Sequence, residues 1–276
     1  HNNAYSNLTK VELSIIQNRP IQHKYSRYRA DSILSQINAA AGQHAIACDA
    51  ETRALLDYAD ALQRASQGRF DITSGVLRKA WDFRRAVLPS AAALATLLPL
   101  VDWQQVVRTP DSVYLPKAGM ELDFGGFGKE YAVDRAADVL QVQGVQHGYV
   151  NLGGDMRFLG PHPDGTPWMI GIQHPRDPQA TIASIPVSRG ALTTSGDYER
   201  YIDVAGQRYC HVLDPRSGMP VRFWRSVSVL APLAIAAGSC CTLTMLLAQD
   251  GLDFLNQSDM SYLAMDQHGD IFRRTV

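Results

Sequence analysis

The hydrophobic positions of this chain follow a helical period in its first half and a strand period in most of its second half. Apolar residues three and four positions apart predict helices at residues 31–41, 49–66, 90–98 and 129–140, with Asp49 placed to cap the second. Short apolar runs bounded by turn residues predict strands. They lie at residues 106–109, 113–115, 122–124, 149–152, 168–173, 182–187, 191–194, 200–204, 207–212, 225–231, 262–265 and 271–273.

The order of these elements predicts the fold class. Two further helices are expected at residues 234–248 and 252–256, whereas residues 11–16 fit a strand or the end of a helix equally well. Helices therefore cluster early and hairpin-connected strands cluster late, which favours an α+β fold over an alternating parallel sheet. Because the sequence shows no internal repeat and no long linker, we expect a single domain over residues 1–276.

Composition and charge narrow the classes of function. With 46% hydrophobic and 19% charged residues, the 276-residue chain has the composition of a folded globular protein. A formal net charge of -1 gives no electrostatic reason to expect nucleic acid or anionic lipid as a partner. The apolar run at residues 227–247 is interrupted by Pro232 and Gly238, so we do not expect a clean membrane span. The four cysteines lack CxxC spacing and are predicted to be buried apolar residues.

The segment HVLDPRSGMP, residues 211–220, places an imidazole and a carboxylate at the end of a predicted strand. Asp214-Pro215 should break the strand, and a loop held by rigid strands is a common place for functional side chains. The clustering of these residue types predicts a functional site. An ordinary capped turn with a structural histidine is the alternative interpretation.

Three other segments share a pattern of an apolar run that ends in glycine and a carboxylate. They are LDFGGFGKEYAVD at residues 122–134, YVNLGGDMRFLG at 149–160 and ALTTSGDYERY at 191–201. In the first, glycines precede a predicted helix with Lys129 in its first turn, an arrangement that suits a phosphate. Tight turn geometry also explains the glycines, and Asp155 and Asp197 also fit as turn formers.

Taken together, the ordered motifs resemble those of a known family. Residues 26–38 (SRYRADSILSQIN), 68–73 (GRFDIT), 122–134, 150–155, 194–201 and 211–218 are similar to the motifs of the FAD:protein FMN transferases of the ApbE type and span nearly the whole chain. The resemblance implies a T-fold-like α+β unit, with antiparallel sheets, helices packed against them, and FAD bound in a crevice between sheet and helices.

The resemblance also implies site residues. The positions matching flavin-site motifs are Tyr28, Arg69, Phe70, Asp71, Gly125, Lys129, Asn151, Asp155, Thr194, Ser195, Gly196 and Asp197, with Asp31 near the entrance. The positions matching the metal site are the Gly128 carbonyl and Thr242, for Mg²⁺. His211 would be the general base and Asp214 its orienting partner.

The implied reaction breaks the pyrophosphate of FAD, links FMN to a threonine or serine hydroxyl of a target protein, and releases AMP. A redox or electron-transfer subunit is the expected target. The alternatives are a pyrophosphatase that cleaves FAD to FMN and AMP, and a protein that only binds FAD. A location in the periplasm, free or behind an N-terminal membrane anchor, is expected from the family, with the cytoplasm as the other possibility.

One departure from the family pattern concerns the metal. The family typically has Ala-Asp followed four residues later by Thr, whereas this chain has Ala237-Gly238 followed by Thr242. Loss of that carboxylate predicts a weakened Mg²⁺ site, which Gly238→Asp should tighten. The change should cost no backbone stability, so any loss of folding would come from steric crowding by Cys240, Cys241 or their neighbours. Glu130 stands where the family often has glycine; it either compensates or, as the plainer interpretation, is a charge on a helix surface.

Overall fold

The computed structural model describes residue 21 and residues 23–275, so the ambiguous segment 11–16 lies outside the described residues. The α-helices are α1 Ile33–Ala39, α2 Ala50–Ala65, α3 Ala91–Leu97, α4 Gly128–Val142, α5 Ala234–Leu247 and α6 Gly251–Gln257. Ser32, Asp49 and Ser90 each cap a helix by accepting a backbone N–H three residues later. Short 3₁₀ helices cover Ile72–Lys79, Leu98–Leu100, Trp103–Gln105 and Ala248–Asp250.

All paired strands run antiparallel, and most pairs are neighbours in sequence. They are β1 Ile46–Ala47, β2 Val107–Arg108, β3 Ser112–Tyr114, β4 Gly148–Leu152, β5 Asp155–Gly160, β6 Trp168–His174, β7 Asp177–Val187, β8 Gly190–Gly196, β9 Tyr201–Val204, β10 Gln207–Cys210, β11 Trp224–Ala231, β12 Ser261–Asp266 and β13 Ile271–Arg274. A six-stranded antiparallel sheet in the order β13-β12-β11-β8-β5-β4 forms the centre of the molecule. This architecture confirms the α+β prediction.

Both faces of the central sheet are covered. Helices α4 and α5 pack on one face, where Val133, Ala137, Val150 and Ala191 share a buried cluster. The β6–β7 hairpin packs on the other face through residues that include Phe158 of the sheet, which is 1% exposed. The layered arrangement fixes α4 and α5 side by side above strands β5 and β8.

The N-terminal elements join the same body through α5. Helices α1 and α2 and the small β1-β3-β2 sheet bury a cluster that includes Leu56, Trp103 and Phe127. Leu243 and Leu246 of α5 belong to that cluster as well. Helix α5 therefore lies between the N-terminal layer and the central sheet.

Two predicted strands and one strand missing from the prediction differ from the structure. Residues 122–124 are not a strand, because Asn38 satisfies the backbone of Leu122 with its side chain, accepting from the Leu122 N–H at 2.7 Å and donating to its carbonyl at 3.0 Å. Strand β5 was absent from the prediction, since its polar start, Asp155, follows two glycines. Strand β7 begins at Asp177, five residues earlier than the apolar pattern indicates.

The helical stretch Ala234–Gln257 is long and apolar enough to cross a membrane by length and composition, with a mean hydropathy of 1.2. This differs from the expectation drawn from Pro232 and Gly238. However, 56% of that segment's apolar window is buried inside the protein, as for the core helix of a folded domain. The four cysteines are free and buried, as predicted.

Candidate active site

The glycine-rich loop before α4 is packed tightly against the interior. A Cβ at Gly126 would lie 2.7 Å from Cε2 of Phe70, so only glycine fits beneath that turn. Phe70 itself is 5% exposed and belongs to the core. The ring therefore supports the loop from below, and its contact with flavin stays a prediction.

The backbone of this loop is already partly engaged. The Gly125 N–H donates to Oδ1 of Asp123 at 2.9 Å, and the Gly128 N–H donates to the Phe124 carbonyl at 2.6 Å. Helix α4 begins at Gly128 without a side-chain cap, since its N-cap residue is Phe127. The backbone N–H groups that remain free to bind a phosphate at this positive helix end therefore belong to the first turn of α4 and not to Gly125.

Lys129 and Asp155 form an ion pair at the start of α4. Lys129 Nζ lies 2.7 Å from Oδ2 of Asp155, which is buried at the beginning of β5. Burial tends to lower the pKa of Lys129, but the negative charge of Asp155 raises it above the ordinary value. The lysine therefore stays cationic beside the helix end, as a phosphate partner must.

Glu130 is a buried residue and not the surface charge that the sequence suggested. It is 8% exposed, and its Oε2 has no hydrogen-bond partner among the described residues. Burial raises its pKa, and the neighbouring charge of Asp155 raises it further. The carboxylates of Asp155 and Glu130 therefore interact closely at the start of α4. Asp155 is paired with Lys129, whereas Glu130 has no cationic partner among the described residues.

Helices α4 and α5 run antiparallel, and Asp134 fixes their register. Its carboxylate accepts the N–H groups of Ala234 and Ile235, both at 2.8 Å, and so caps α5 from the neighbouring helix. Arg157 donates to the same carboxylate at 2.9 Å. One turn earlier on α4 and one turn later on α5, Glu130 lies beside Gly238.

The contact between Glu130 and Gly238 leaves no room for a larger residue at 238. An added Cβ would lie 2.5 Å from Cγ, 2.8 Å from Oε1 and 2.9 Å from Cδ of Glu130. Non-bonded carbon atoms approach no closer than about 3.5 Å without repulsion. The steric crowding expected for Gly238→Asp therefore comes from Glu130 and not from Cys240 or Cys241, because the new side chain would have to displace Glu130.

Hydroxyl groups on α5 complete this part of the site. Ser239 accepts a hydrogen bond from Tyr58 at 2.9 Å, and Tyr58 was not predicted from the sequence. Thr242, one turn beyond Gly238, is partly exposed. No group of three His, Cys, Asp or Glu side chains in the described residues could hold a metal by itself.

His211 directly follows β10, as predicted, and its ring has a defined tautomer. Nδ1 lies 3.2 Å from the Arg200 carbonyl, which can only accept, so Nδ1 carries the hydrogen and Nε2 has the free lone pair. Burial of the ring lowers its pKa, and the charges of Arg200 and Lys129 lower it further, although the residue as a whole is exposed. The neutral ring is therefore available as a base.

Asp214 does not hold the His211 ring, in contrast to the prediction. Its carboxylate accepts the Arg216 N–H at 3.0 Å and the Ser217 hydroxyl at 3.1 Å. These bonds, with the positive φ of Gly218, shape the turn after His211. The Arg200 carbonyl takes the orienting position instead.

Several other predicted flavin residues are engaged in the scaffold. Both oxygens of Asp197, which is 7% exposed, accept from Arg176 at 2.6 Å. Asp71 caps the 3₁₀ helix and accepts the Trp103 N–H at 3.0 Å. Asn151 accepts the Gly154 N–H at 2.9 Å and closes the β4–β5 turn. Their carboxylate and amide oxygens therefore position the loops around the site.

The remaining predicted residues lie at accessible or partly accessible positions. Tyr28 is 81% exposed beneath the guanidinium of Arg27, and Asp31 is exposed beside Arg29. Arg69 is partly exposed and has no ion pair with another described residue. On β8, the Thr194 hydroxyl lies 2.8 Å from that of Ser228, Ser195 is partly exposed, and Gly196 faces the Tyr198 ring.

Comparison with known proteins gives a consistent result. The model of the ApbE family matches residues 6–264. A protein of Klebsiella pneumoniae (strain 342) named FAD:protein FMN transferase is 38% identical over 198 residues, covering 70% of this chain and 61% of that protein. One of the same name from Vibrio cholerae serotype O1 is 30% identical over 237 residues, covering 83% and 71%. This chain thus spans about three fifths of the length of the Klebsiella protein.

Solved structures show the same fold. The crystal structure of the ApbE protein of Thermotoga maritima has a TM-score of 0.89 and 31% identity, covering 99% of this chain and 91% of the other. The flavin transferase ApbE of Vibrio cholerae has a TM-score of 0.87 and 25% identity, covering 99% and 90%.

Proposed function

The chain belongs to the ApbE family, and from this premise we propose that it is an FAD:protein FMN transferase. It moves FMN from FAD to a threonine or serine hydroxyl of a target protein and releases AMP. One observation carries the assignment to these residues: Asp155 holds the Lys129 ammonium, 2.7 Å away, at the uncapped positive start of α4. A cation and a helix end that both suit a phosphate therefore lie together.

The proposed step is a displacement at the phosphorus of the FMN half. The acceptor hydroxyl oxygen forms the new P–O bond, the pyrophosphate P–O bond breaks, and AMP leaves with the bridging oxygen. Nε2 of His211 takes the hydroxyl proton, since Nδ1 is held by the Arg200 carbonyl. Lys129 and the positive end of α4 stabilise the charge that develops on the phosphate oxygens.

A divalent cation such as Mg²⁺ fits this site. The buried Oε2 of Glu130 has no hydrogen-bond partner in the described part of the chain, and the Asp155 carboxylate and the Thr242 hydroxyl are the further candidate oxygens. When bound, the ion would neutralise negative charge on the pyrophosphate and on the leaving AMP. The Gly128 carbonyl stays a predicted ligand.

Hydrolysis of FAD to FMN and AMP is the second candidate function. It would use the same residues with water in place of the acceptor hydroxyl, and the exposure of His211 favours water access. We propose a redox or electron-transfer subunit as the acceptor protein, and periplasmic location remains an expectation of the family.

The test is incubation of the protein with FAD, Mg²⁺ and a purified acceptor domain that carries one candidate threonine. Flavin fluorescence of the acceptor in a denaturing gel reports covalent transfer, and the Thr→Ala acceptor is the matched control. Transfer to the threonine form alone supports the proposal. AMP release with no fluorescent acceptor points to hydrolysis, and FAD binding without AMP points to a binding protein; either result contradicts the transferase assignment.

A further inference from the structure

Glu130 is a buried carboxylate without a counter-charge of its own. It is 8% exposed, and Oε2 has no hydrogen-bond partner among the described residues. The cation next to it in sequence, Lys129, is already paired with Asp155 at 2.7 Å. A buried ionised carboxylate is strongly destabilising unless a cation or hydrogen bonds compensate it. The site therefore requires a proton or a metal ion at this position.

Gly238 is the reason why the Glu130 side chain can lie where it does. Its Cγ, Cδ and Oε1 occupy the volume that any side chain at 238 would need, with approaches of 2.5–2.9 Å to an added Cβ. The carboxylate carried by α4 thus reaches the surface of α5 at the position where α5 has no side chain. Asp134 holds the two helices in this register by capping α5.

We propose that Glu130 is the carboxylate through which this chain binds its divalent cation, delivered from α4 into the space that Gly238 leaves open on α5. The inference depends on the proposed FMN transfer in one respect only. The remaining ligands of the cation are taken to be pyrophosphate oxygens of FAD, the substrate of that reaction. Mg²⁺ is commonly held by one or two carboxylates together with substrate phosphates and water.

The surrounding residues fit such a partial site. Protein side chains alone do not complete the coordination of a metal ion here, because no group of three His, Cys, Asp or Glu side chains among the described residues could hold one. Thr242 lies one turn beyond Gly238 and is partly exposed, so its hydroxyl oxygen is accessible for coordination. Asp155 provides a second carboxylate close to Glu130, shared with Lys129.

The test measures metal binding directly and needs no acceptor protein. Mg²⁺ is titrated by calorimetry, and Mn²⁺ by electron paramagnetic resonance, with FAD present. The variants are the wild type, Glu130→Gln, Glu130→Gly, the exchange Glu130→Gly with Gly238→Asp, and the control Glu199→Gln. Glu199 is exposed, yet its charge is felt by Lys129, so the control removes one nearby negative charge without touching the buried site.

Glu130→Gln should weaken Mg²⁺ and Mn²⁺ binding by about 10-fold or more, since the charge of an oxygen ligand dominates affinity for these ions. Glu199→Gln should change it by less than about 2-fold, because exposed charges are screened. Without metal, Glu130→Gln should melt at the wild-type temperature or above, since it removes a buried charge, but it should lose the thermal stabilisation that Mg²⁺ gives the wild type.

Equal Mg²⁺ affinity of the wild type and Glu130→Gln overturns the inference, because a permanently protonated Glu130 would tolerate the amide. If Glu130→Gln folds poorly, Glu130→Gly decides the matter. Weaker Mg²⁺ binding that is regained when Gly238→Asp is added supports the inference, and unchanged binding by Glu130→Gly overturns it. A wild type that binds FAD and metal through Glu130 but labels no acceptor contradicts the transferase proposal alone.

Discussion

The side chain of Glu130 fills the space beside Gly238, so the carboxylate of one helix replaces the side chain that the other helix lacks. This relationship makes the two positions interdependent. If residue 238 had a Cβ, the Glu130 side chain could not keep its observed position.

Gly238→Ala measures this interdependence as a free energy of unfolding. In the wild type, the Cβ lies 2.5 Å from Cγ of Glu130, and we expect a net loss of about 1–3 kcal/mol from overpacking. In a Glu130→Ala background the space is free, and the same substitution should gain up to about 1 kcal/mol from helix propensity. Urea unfolding of the four proteins in this double-mutant cycle gives both values. Equal effects in the two backgrounds would show that the contact is absent.

His211→Ala should leave FAD affinity nearly intact and lower the transfer rate by about 10²-fold, the usual scale for loss of a general base. His44→Ala, at another exposed histidine, is the control. FAD affinity is read from flavin fluorescence. A parallel loss of binding and rate would assign His211 to ligand binding instead.

The pH profile follows from the lowered pKa of His211. A general base works in its neutral form, so the rate should fall only when the pH drops below a pKa that lies under the ordinary histidine value of 6.5. This acid limb should vanish in His211→Ala. Transfer rates at saturating FAD over a pH series test it, and a limb above 6.5 would contradict the lowered pKa.

Asp197→Asn tests whether Asp197 serves the scaffold. It removes the negative charge and one of the two oxygens that accept from Arg176, and we expect a loss of about 2 kcal/mol in unfolding free energy. Asp203→Asn, at an exposed carboxylate on the following strand β9, should change stability little. A large drop in FAD affinity with unchanged stability would restore the original prediction of a flavin contact.

Asp134→Ala should destabilise the protein by about 2 kcal/mol, because α5 loses the acceptor of its first N–H groups and Arg157 loses its partner. Asp138→Ala, one turn further along α4 in a surface ion pair, is the control. Because Asp134 also fixes the register between Glu130 and Gly238, the Asp134 variant should bind Mg²⁺ more weakly. Unchanged stability would show that α5 is capped in another way.

The sequence predicted the elements whose signals are local. Asp49 caps α2 and His211 follows β10 as expected, because capping and strand ends depend on neighbouring residues. The strand at residues 122–124 failed because the side chain of Asn38, distant in sequence, takes the place of a partner strand. Such a contact leaves no periodic signal.

At the site, Glu130 shows what the pattern contained and what it lacked. It lies three, four and seven residues before Val133, Asp134 and Ala137, all on the buried face of α4, so its spacing already indicated burial. The spacing could not show which residues the Glu130 side chain contacts, because that depends on how α4 packs against Gly238 of α5. The partners of Asp197 and Asp214 were hidden for the same reason, since Arg176 and the turn geometry enter only in the folded chain.

The ratio of AMP to covalently bound flavin tests the proposed function most directly. The purified protein is incubated with FAD, Mg²⁺ and the threonine acceptor, the acceptor is weighed by intact-mass spectrometry, and AMP is quantified from the same sample. FMN transfer predicts an acceptor heavier by one FMN less one water, one AMP per modified acceptor, and no modification of the Thr→Ala form. Release of AMP with free FMN and an acceptor of unchanged mass would contradict it.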